Sequence, residues 1–191
     1  MRIYTRRGDK GTTGLLHGGR VAKDDARIEA LGAVDEAQAA LGLARAEVAR
    51  GCELDELLVG LARDLWVLMA EVGTGAERRD RLEPGTTATT PAMVERLEAL
   101  VDDLASRFAT PHGFVVPGQG PPAAQLDLAR AVVRRAERRV VALALDGSAA
   151  PAYLNRLSDL LWTMARWQEG EPLPTRPEPT SAGPSPDPSR R

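Results

Sequence analysis

Apolar side chains recur every three or four positions over most of the chain, which is the spacing that lines one face of an α-helix. The clearest stretch is 54–73, where leucines and a final valine alternate spacings of four and three. That seam is typical of a helix in a bundle. Weaker versions of the pattern predict four more helices: about 25–49, about 91–108 after an N-cap at Thr90, 123–145, and one that follows Pro151. No segment alternates convincingly as a strand, so we predict an all-α fold, a five-helix bundle.

Glycine and proline divide the chain into three regions. Residues 1–25 are rich in glycine, threonine and charged side chains without an apolar period, which is typical of a loop that is ordered by itself or by a ligand. Residues 26–170 hold the helical segments. Residues 171–191 are dominated by proline, serine and threonine, and we predict a disordered tail there.

Composition narrows the function classes. The formal net charge is −2 and aromatic residues make up 4% of the chain, which disfavours a nucleic-acid partner. Cys52 is the single cysteine, so no disulfide can form within the chain and a reducing compartment fits. No apolar run is long enough for a membrane span, and residues 1–5 do not resemble a signal peptide. We expect a cytoplasmic protein that contacts no membrane.

The segment from Thr5 to Gly14 is the first candidate site. Its glycines would let backbone N–H groups approach phosphate oxygens, while arginine and lysine supply positive charge. It lacks the Gly-Lys-Ser/Thr of a P-loop and follows no strand, so it is not a Rossmann turn. A flexible basic segment is the alternative interpretation.

Three arginines in the fourth predicted helix form the second candidate. Arg130, Arg134 and Arg138 are spaced by four, which stacks like charges on one helix face. Carboxylates of neighbouring helices or a polyanion such as triphosphate would offset that repulsion. A basic face in contact with water is the alternative.

Two single positions also attract attention. Asp35 lies in a stripe of small residues with Ala39, Gly42 and Ala46, where another helix could approach, and a carboxylate there needs a partner. A structural salt bridge would satisfy it equally well. Asn155, at the start of the last helix, is either a hydrogen bonder in the cap region or a ligand contact.

Other chemistries are poorly supported. Two histidines and one cysteine offer no plausible zinc set. No Glu-x-x-His pattern occurs, which excludes a ferritin-like di-iron bundle. Ser158 has no nearby histidine to activate it as a nucleophile.

Six motifs in order resemble the PduO-type cobalamin adenosyltransferases, from Ile3 to about Trp167. They are YTRRGDKGTTG from Tyr4, Lys23-Asp24-Asp25, Val34-Asp35-Glu36, Phe114-Val115-Val116-Pro117-Gly118, the arginine-rich Ala129–Arg138, and Tyr153–Asp159.

The resemblance implies a homotrimer with active sites between subunits. The family's ATP-binding positions match two sets of residues in this sequence. In the N-terminal region they are Thr5, Arg6, Gly8, Asp9, Lys10, Gly11, Thr13, Gly14 and Lys23, and on the helices they are Arg134, Glu137, Arg138 and Asn155. Arg130 matches a residue that pairs with the Asp35 position across the subunit interface. Phe114 matches the aromatic residue that excludes the lower axial ligand of the corrin. The implied catalytic set is therefore Arg134, Phe114, Asp35 and Arg130.

The implied reaction transfers the 5′-deoxyadenosyl group of ATP to the cobalt of cob(I)alamin, giving adenosylcobalamin and triphosphate. Mg²⁺ is expected on the ATP phosphates, with no protein ligand assigned. A flavoprotein reductase and a B12-dependent enzyme are the expected protein partners. A carrier or gating protein that binds ATP and cobalamin without turnover is the alternative, and a purely structural bundle that binds no ATP is a second one.

Four departures from the family pattern bear on the site. Arg7 replaces a small hydroxyl residue, Gly118-Gln119-Gly120 replaces Gly-Gly-Ser, Asp127 replaces histidine and Trp162 replaces phenylalanine. Asp127 is the most consequential, because it places a negative charge one turn before the arginines and is expected to weaken affinity.

Overall fold

Five long helices form the body of the molecule. The computed structural model describes residues 4–111, 113–171 and 173–176. The helices are α1 (Ala26–Ala46), α2 (Glu53–Val72), α3 (Pro91–Ala105), α4 (Pro121–Val141) and α5 (Ala150–Glu169). The predicted helical bundle is confirmed, with helix ends that differ by about a turn or less from the predicted ones.

Two elements were not predicted. A short antiparallel hairpin pairs β1 (Thr12–Gly14) with β2 (Arg20–Ala22), and a 3₁₀ helix covers Ala76–Arg81. The expectation that the chain has no strand was therefore wrong for the N-terminal region. Its hairpin turn contains Gly18 and Gly19, whose φ angles of 101° and 89° favour glycine.

α4 lies at the centre of the bundle, packed against α1 on one side and α5 on the other. α2 packs on α1, and α3 packs on α5. α1 and α4 both bury faces rich in alanine, which lets neighbouring helices approach closely. Fully covered examples are Ala30, Ala37 and Ala44 on α1, with Ala129 and Ala136 on α4.

Asp64 of α2 ties three helices together. Its carboxylate accepts a hydrogen bond from the Tyr153 hydroxyl of α5 at 2.8 Å and pairs with Arg96 of α3. Burial, with the neighbouring carboxylate, raises the pKa of Tyr153 far above its ordinary value. The Tyr153 phenol therefore keeps its proton and donates the hydrogen bond. Through its two partners, Asp64 holds α2, α3 and α5 together.

A second buried carboxylate, Glu71 near the end of α2, holds the connection to α3. Glu71 Oε2 accepts from the Thr89 N–H at 2.8 Å and from the Thr89 hydroxyl. Glu71 Oε1 accepts from Arg79 at 3.0 Å. The next residue, Thr90, caps α3 by accepting from the Met93 N–H, which confirms the predicted N-cap.

The N-terminal hairpin is attached to one end of the bundle. The Leu16 N–H donates to the Gly73 carbonyl oxygen at 2.8 Å, just past α2. Arg27, in the first turn of α1, donates to the carbonyl oxygens of Val72 and Thr74, both at 2.8 Å. The hairpin and the start of α1 therefore share an anchor at the C-terminal end of α2.

The division of the chain into an N-terminal loop, a helical domain and a tail stays a prediction. Residues 172 and 177–191 lie outside the described residues, so the predicted disorder of the tail stays a prediction there. Residues 173–176 pair with the loop that precedes α4.

No helix in the described ranges is long and apolar enough to cross a membrane.

Candidate functional site

Arg20 organises the N-terminal loop. Its guanidinium Nη2 donates to the Arg7 carbonyl oxygen at 2.9 Å, to the Thr12 carbonyl oxygen at 3.0 Å and to Thr12 Oγ1 at 2.8 Å. Sequence reasoning missed this residue. The Gly18-Gly19 pair is a turn signal that would have predicted a hairpin and placed Arg20 opposite Gly14.

Lys23 lies over the turn that carries Gly8. A Cβ atom on Gly8 would stand 3.2 Å from Lys23 Nζ, so a larger residue would crowd the ammonium group. The Lys23 N–H also donates to the Gly11 carbonyl oxygen at 2.9 Å. The structure therefore brings together three of the nine predicted ATP-binding residues of this region.

The other predicted residues of the loop are mostly open to solvent. Arg6 has a φ of 61°, the left-handed region, and its guanidinium lies 5.4 Å from the centre of the Tyr4 ring. Thr5, Asp9, Lys10 and Gly14 are exposed, and Thr13 is half-buried in β1. The region thus presents five exposed cationic residues, namely Arg6, Arg7, Lys10, Arg20 and Lys23.

The arginines in the second half of α4 fall into two groups, one paired with α1 and one exposed without an ion pair in the described residues. Arg135 pairs with Glu36 and Arg139 pairs with Glu29 at 3.3 Å, both across to α1. Arg134 and Arg138 are exposed and make no ion pair or hydrogen bond with the described part of the chain. Of the arginines in the Ala129–Arg138 motif, Arg134 and Arg138 are therefore the ones left available to an anion.

Glu137 and Asn155 meet between α4 and α5. The Asn155 side-chain amide donates to Glu137 Oε1 at 3.0 Å. Both residues are half-buried, and Glu137 lies between the exposed Arg134 and Arg138 along α4. The two residues predicted from separate motifs thus form one polar contact, and Asn155 is not the cap of its helix, since the N-cap position is Ala149.

An open cavity of about 800 Å³ lies between the loop before α4 and the faces of α4 and α5. Phe114 lines it and is 88% exposed, so the single chain covers little of its ring. The cavity lining is Pro111, Gly113, Phe114, Val115, Pro117, Gly118, Ala124, Asp127, Leu128, Arg130, Trp162 and Arg166.

Asp127 has a buried partner that the sequence analysis did not identify. Arg166 of α5 is 1% exposed and donates to Asp127 Oδ2 at 2.6 Å. Arg166 also pairs with Glu169 at 2.7 Å and lies 5.7 Å from the centre of the Trp162 ring. Two of the four departures, at 127 and 162, therefore contact one buried guanidinium. Asp127 is neutralised locally instead of standing alone beside the arginines.

Asp35 and Arg130 do not meet within one chain. Asp35 is exposed on α1 and has no hydrogen-bond or ion-pair partner in the described ranges. Arg130 Nε lies 3.7 Å from Asp127 Oδ1 and is buried without a hydrogen-bond partner among the described residues. Each group therefore retains unsatisfied capacity for a charged contact.

Asp35 borders an apolar groove of about 860 Å³ between α1, α2 and the hairpin. Trp66 on α2 is 66% exposed there, and Leu16 is 40% exposed. The small residues of the stripe that begins at Asp35, namely Ala39, Gly42 and Ala46, are exposed as well. This face is unusually apolar for one that contacts only water.

The two halves of the predicted nucleotide site are not connected in the single chain. Within the described ranges, no hydrogen bond or ion pair joins residues 4–25 to α4 or α5. Nor do three histidine, cysteine, aspartate or glutamate side chains cluster there as a metal site would need.

A family model described as cobalamin adenosyltransferase matches residues 3–168. The chain belongs to this family. The match includes the N-terminal loop, the cavity and the arginine helix, so it covers every candidate site described above.

Individual relatives agree with the family match. A corrinoid adenosyltransferase from Citrobacter freundii is 39% identical over 174 residues, 90% of this chain and 97% of that protein. One from Mycobacterium bovis is 42% identical over 171 residues, 86% of this chain and 87% of that protein. Among solved structures, a variant PduO-type ATP:corrinoid adenosyltransferase from Lactobacillus reuteri, complexed with cobalamin and ATP, superposes with a TM-score of 0.82. It is 26% identical, and the superposition covers 92% of this chain and 99% of that one.

Proposed function

We propose that this adenosyltransferase transfers the 5′-deoxyadenosyl group of ATP to the cobalt of cob(I)alamin, releasing triphosphate. The observation that carries the proposal is the family match over residues 3–168, because it spans the whole helical bundle together with the loop. The relatives at about 40% identity carry the same activity in their names.

The chemistry needs no protein nucleophile or base. Cobalt in cob(I)alamin is the nucleophile: its electron pair forms the Co–C bond at C5′ of the ribose, and the C5′–O bond breaks. The triphosphate leaves with that bonding pair, and the cobalt ends formally as Co(III). The protein must hold C5′ in line with the cobalt and stabilise the growing charge on the leaving oxygen.

Arg134 and Arg138 are the groups best suited to the leaving triphosphate. They are exposed, unpaired within the described chain and one turn apart on α4. Guanidinium groups bind phosphate through paired hydrogen bonds at a fixed geometry. Lys10 and Lys23 of the N-terminal loop supply further positive charge from the other side, and Glu137 with Asn155 contacts the nucleoside part.

Mg²⁺ would enter the site bound to the triphosphate. The described residues contain no cluster of three metal-ligating side chains, and Mg²⁺ in nucleotide sites is commonly bound largely by phosphate oxygens and water. When bound, it neutralises part of the charge that develops on the leaving group.

Phe114 belongs to the reduction step that precedes transfer. Co(II) accepts an electron more readily once its lower axial ligand has left, because the accepting orbital falls in energy. An aromatic side chain at the mouth of the cavity would keep that face dry and four-coordinate. The electron would come from a flavoprotein reductase, and the product would pass to a B12-dependent enzyme.

The same considerations favour a homotrimer with each active site between two subunits. The loop of residues 1–25 would then close over ATP held by a neighbour's α4, within the domain of residues 26–170. Asp35 would pair with Arg130 of the adjacent copy, which would satisfy two groups that have no strong partner among the described residues of one chain. The exposed apolar groove beside Asp35 supports a protein contact on this face.

An adenosylation assay tests the proposed function. Purified protein is mixed with MgATP and chemically reduced cobalamin, and adenosylcobalamin formation is followed in the visible spectrum. Light-sensitive product that accumulates with stoichiometric triphosphate is the expected result. Binding of both ligands without product would instead support the non-catalytic carrier.

A further inference from the structure

Residues 173–176, which we call the strap, pair with the loop that carries Phe114. The Val116 N–H donates to the Leu173 carbonyl oxygen at 2.8 Å, and the Thr175 N–H donates to the Phe114 carbonyl oxygen at 2.9 Å. The Thr175 hydroxyl donates to that same carbonyl at 3.1 Å. The Phe114 carbonyl therefore receives both of its hydrogen bonds from one residue.

These contacts are the loop's principal attachments. Between residues 108 and 119, the described part of the loop makes no other hydrogen bond. Without the strap, the chain around Phe114 would be held by covalent continuity with its two flanking helices and by side-chain packing. Ordering such a loop costs conformational entropy at every residue, so the strap is what selects one backbone position for Phe114.

The strap follows the end of α5, which buried ion pairs hold in place. The Glu169 side chain, in the last turn of α5, is fully covered and pairs with the buried Arg166 at 2.7 Å. Arg166 is in turn bound to Asp127 of α4 at 2.6 Å. Gly170 then ends the helix at a φ of 73°, which turns the chain away from the helix axis.

That anchoring matters because the pairing itself is exposed. Leu173 is 51% exposed and Val116 is 38% exposed, so water competes for these hydrogen bonds. A short two-stranded pair of this kind is marginally stable alone. The network of Asp127, Arg166 and Glu169 therefore supplies the fixed end that the strap needs.

We propose that Thr175 is a positioning residue for the reaction, acting through the main chain of Phe114. This inference rests on the proposed function of Phe114 in the cobalamin cavity. Phe114 is 88% exposed, so packing within the single chain does little to fix its ring. The position that the strap gives to the Phe114 backbone decides whether the ring lies at the corrin face. Loss of the strap should therefore slow the reaction that starts from Co(II)alamin more than the transfer step itself.

The test compares two variants of the full chain. Thr175→Pro removes both the N–H and the hydroxyl that donate to Phe114. Thr175→Val keeps the N–H and the side-chain shape and removes the hydroxyl alone. Each variant is assayed with Co(II)alamin plus a reducing system and, separately, with pre-reduced Co(I)alamin. Amide hydrogen exchange at Val116 is measured without substrates.

Thr175→Pro should lower the rate from Co(II)alamin at least about 5-fold, while the rate from Co(I)alamin changes less than about 2-fold. Thr175→Val should stay within about 3-fold of the parent in both assays, since one neutral hydrogen bond is lost. Exchange at Val116 should be at least about 10-fold faster in Thr175→Pro, because the strap no longer protects it.

An unchanged ratio of the two rates in Thr175→Pro, or unchanged exchange at Val116, overturns the proposal. Failure of the proposed function looks different, since the parent protein would then form no adenosylcobalamin from either cobalt state. The exchange measurement still reports in that case whether the strap holds the loop.

Discussion

Identical residues on one helix make different contacts, and the reason is local geometry. Arg134 and Arg135 are neighbours on α4, yet they point about 100° apart around the helix axis. Arg135 reaches Glu36 of α1, whereas Arg134 remains exposed without an ion pair in the described chain. This difference provides a matched pair of substitutions.

Replacing Arg134 by alanine should cost at least about 2 kcal/mol of transition-state stabilisation, a fall of roughly 30-fold in kcat/KM for ATP. The physical reason is the loss of a charge-assisted contact to the leaving triphosphate. Steady-state kinetics with Co(I)alamin measures it. Arg135→Ala is the control, and it should stay within about 3-fold because an exposed ion pair contributes little. Equal effects of the two substitutions would contradict the assignment.

Phe114 offers a second test at this scale. Phe114→Ala should reduce adenosylation from Co(II)alamin far more than from pre-reduced Co(I)alamin, since water could then reach the lower axial position. The two assays run side by side measure the ratio. Leu128→Ala is a useful control, because Leu128 lines the same cavity and is 50% exposed but carries no proposed role. Equal losses from both cobalt states would argue against the four-coordinate role.

At the scale of elements, buried carboxylates fasten the connections between helices. Glu71 is 1% exposed and holds the Thr89 end of the α2–α3 connection. Burial alone would raise its pKa, but the nearby Ser148 hydroxyl and the hydrogen bonds from Thr89 and Arg79 outweigh burial and lower the pKa below its ordinary value. The interaction is therefore stronger with the charged form.

The free energy of unfolding should depend on pH through Glu71, and the lowered pKa of this residue sets the direction of that dependence. A carboxyl group with a lowered pKa in the folded state stabilises the fold above its unfolded pKa, and that contribution is lost as pH falls through the folded pKa. Glu71→Gln should thus lower the free energy of unfolding at pH 7 by about 2 kcal/mol and reduce the acid sensitivity below about pH 4.5. Urea unfolding at pH 7 and pH 4 measures both effects. Glu83→Gln, exposed on the same connection, should change neither.

At the scale of the whole molecule, one face of the bundle is not explained by the single chain. It combines the exposed Trp66, the groove beside it and Asp35 without a partner in the described residues. The two parts of the proposed nucleotide site also lie on segments that no hydrogen bond or ion pair joins within the described residues. Association of several copies would account for both observations.

Asp35→Ala should therefore weaken the proposed trimer. Loss of the contact to Arg130 of the adjacent copy should cost about 2 kcal/mol per interface, since it leaves a charge unpaired. Sedimentation velocity over a concentration series measures the dissociation. Glu36→Ala is the control, because the neighbouring carboxylate pairs within its own chain with Arg135. A parent protein that sediments as a monomer at all concentrations would contradict the proposal.

The amino-acid sequence by itself determined the helical bundle and the family. Apolar periodicity along α2, the Thr90 cap and the six motifs are properties of short contiguous segments, and such segments can be interpreted without knowing what they contact. The hairpin was missed because its strands are three residues long and lack an alternating pattern.

Only the tertiary structure decided which charges are paired and which remain available. Arg166 is charged and lies near the end of a helix, so nothing in its own segment predicts that it is buried. Nor does that segment predict that Arg166 pairs with Asp127, 39 residues earlier in the chain. The pairing of Thr175 with Phe114, 61 residues apart, is equally invisible along the chain. Both contacts depend on how α4 and α5 pack, and that packing is set by the combined surfaces of the helices.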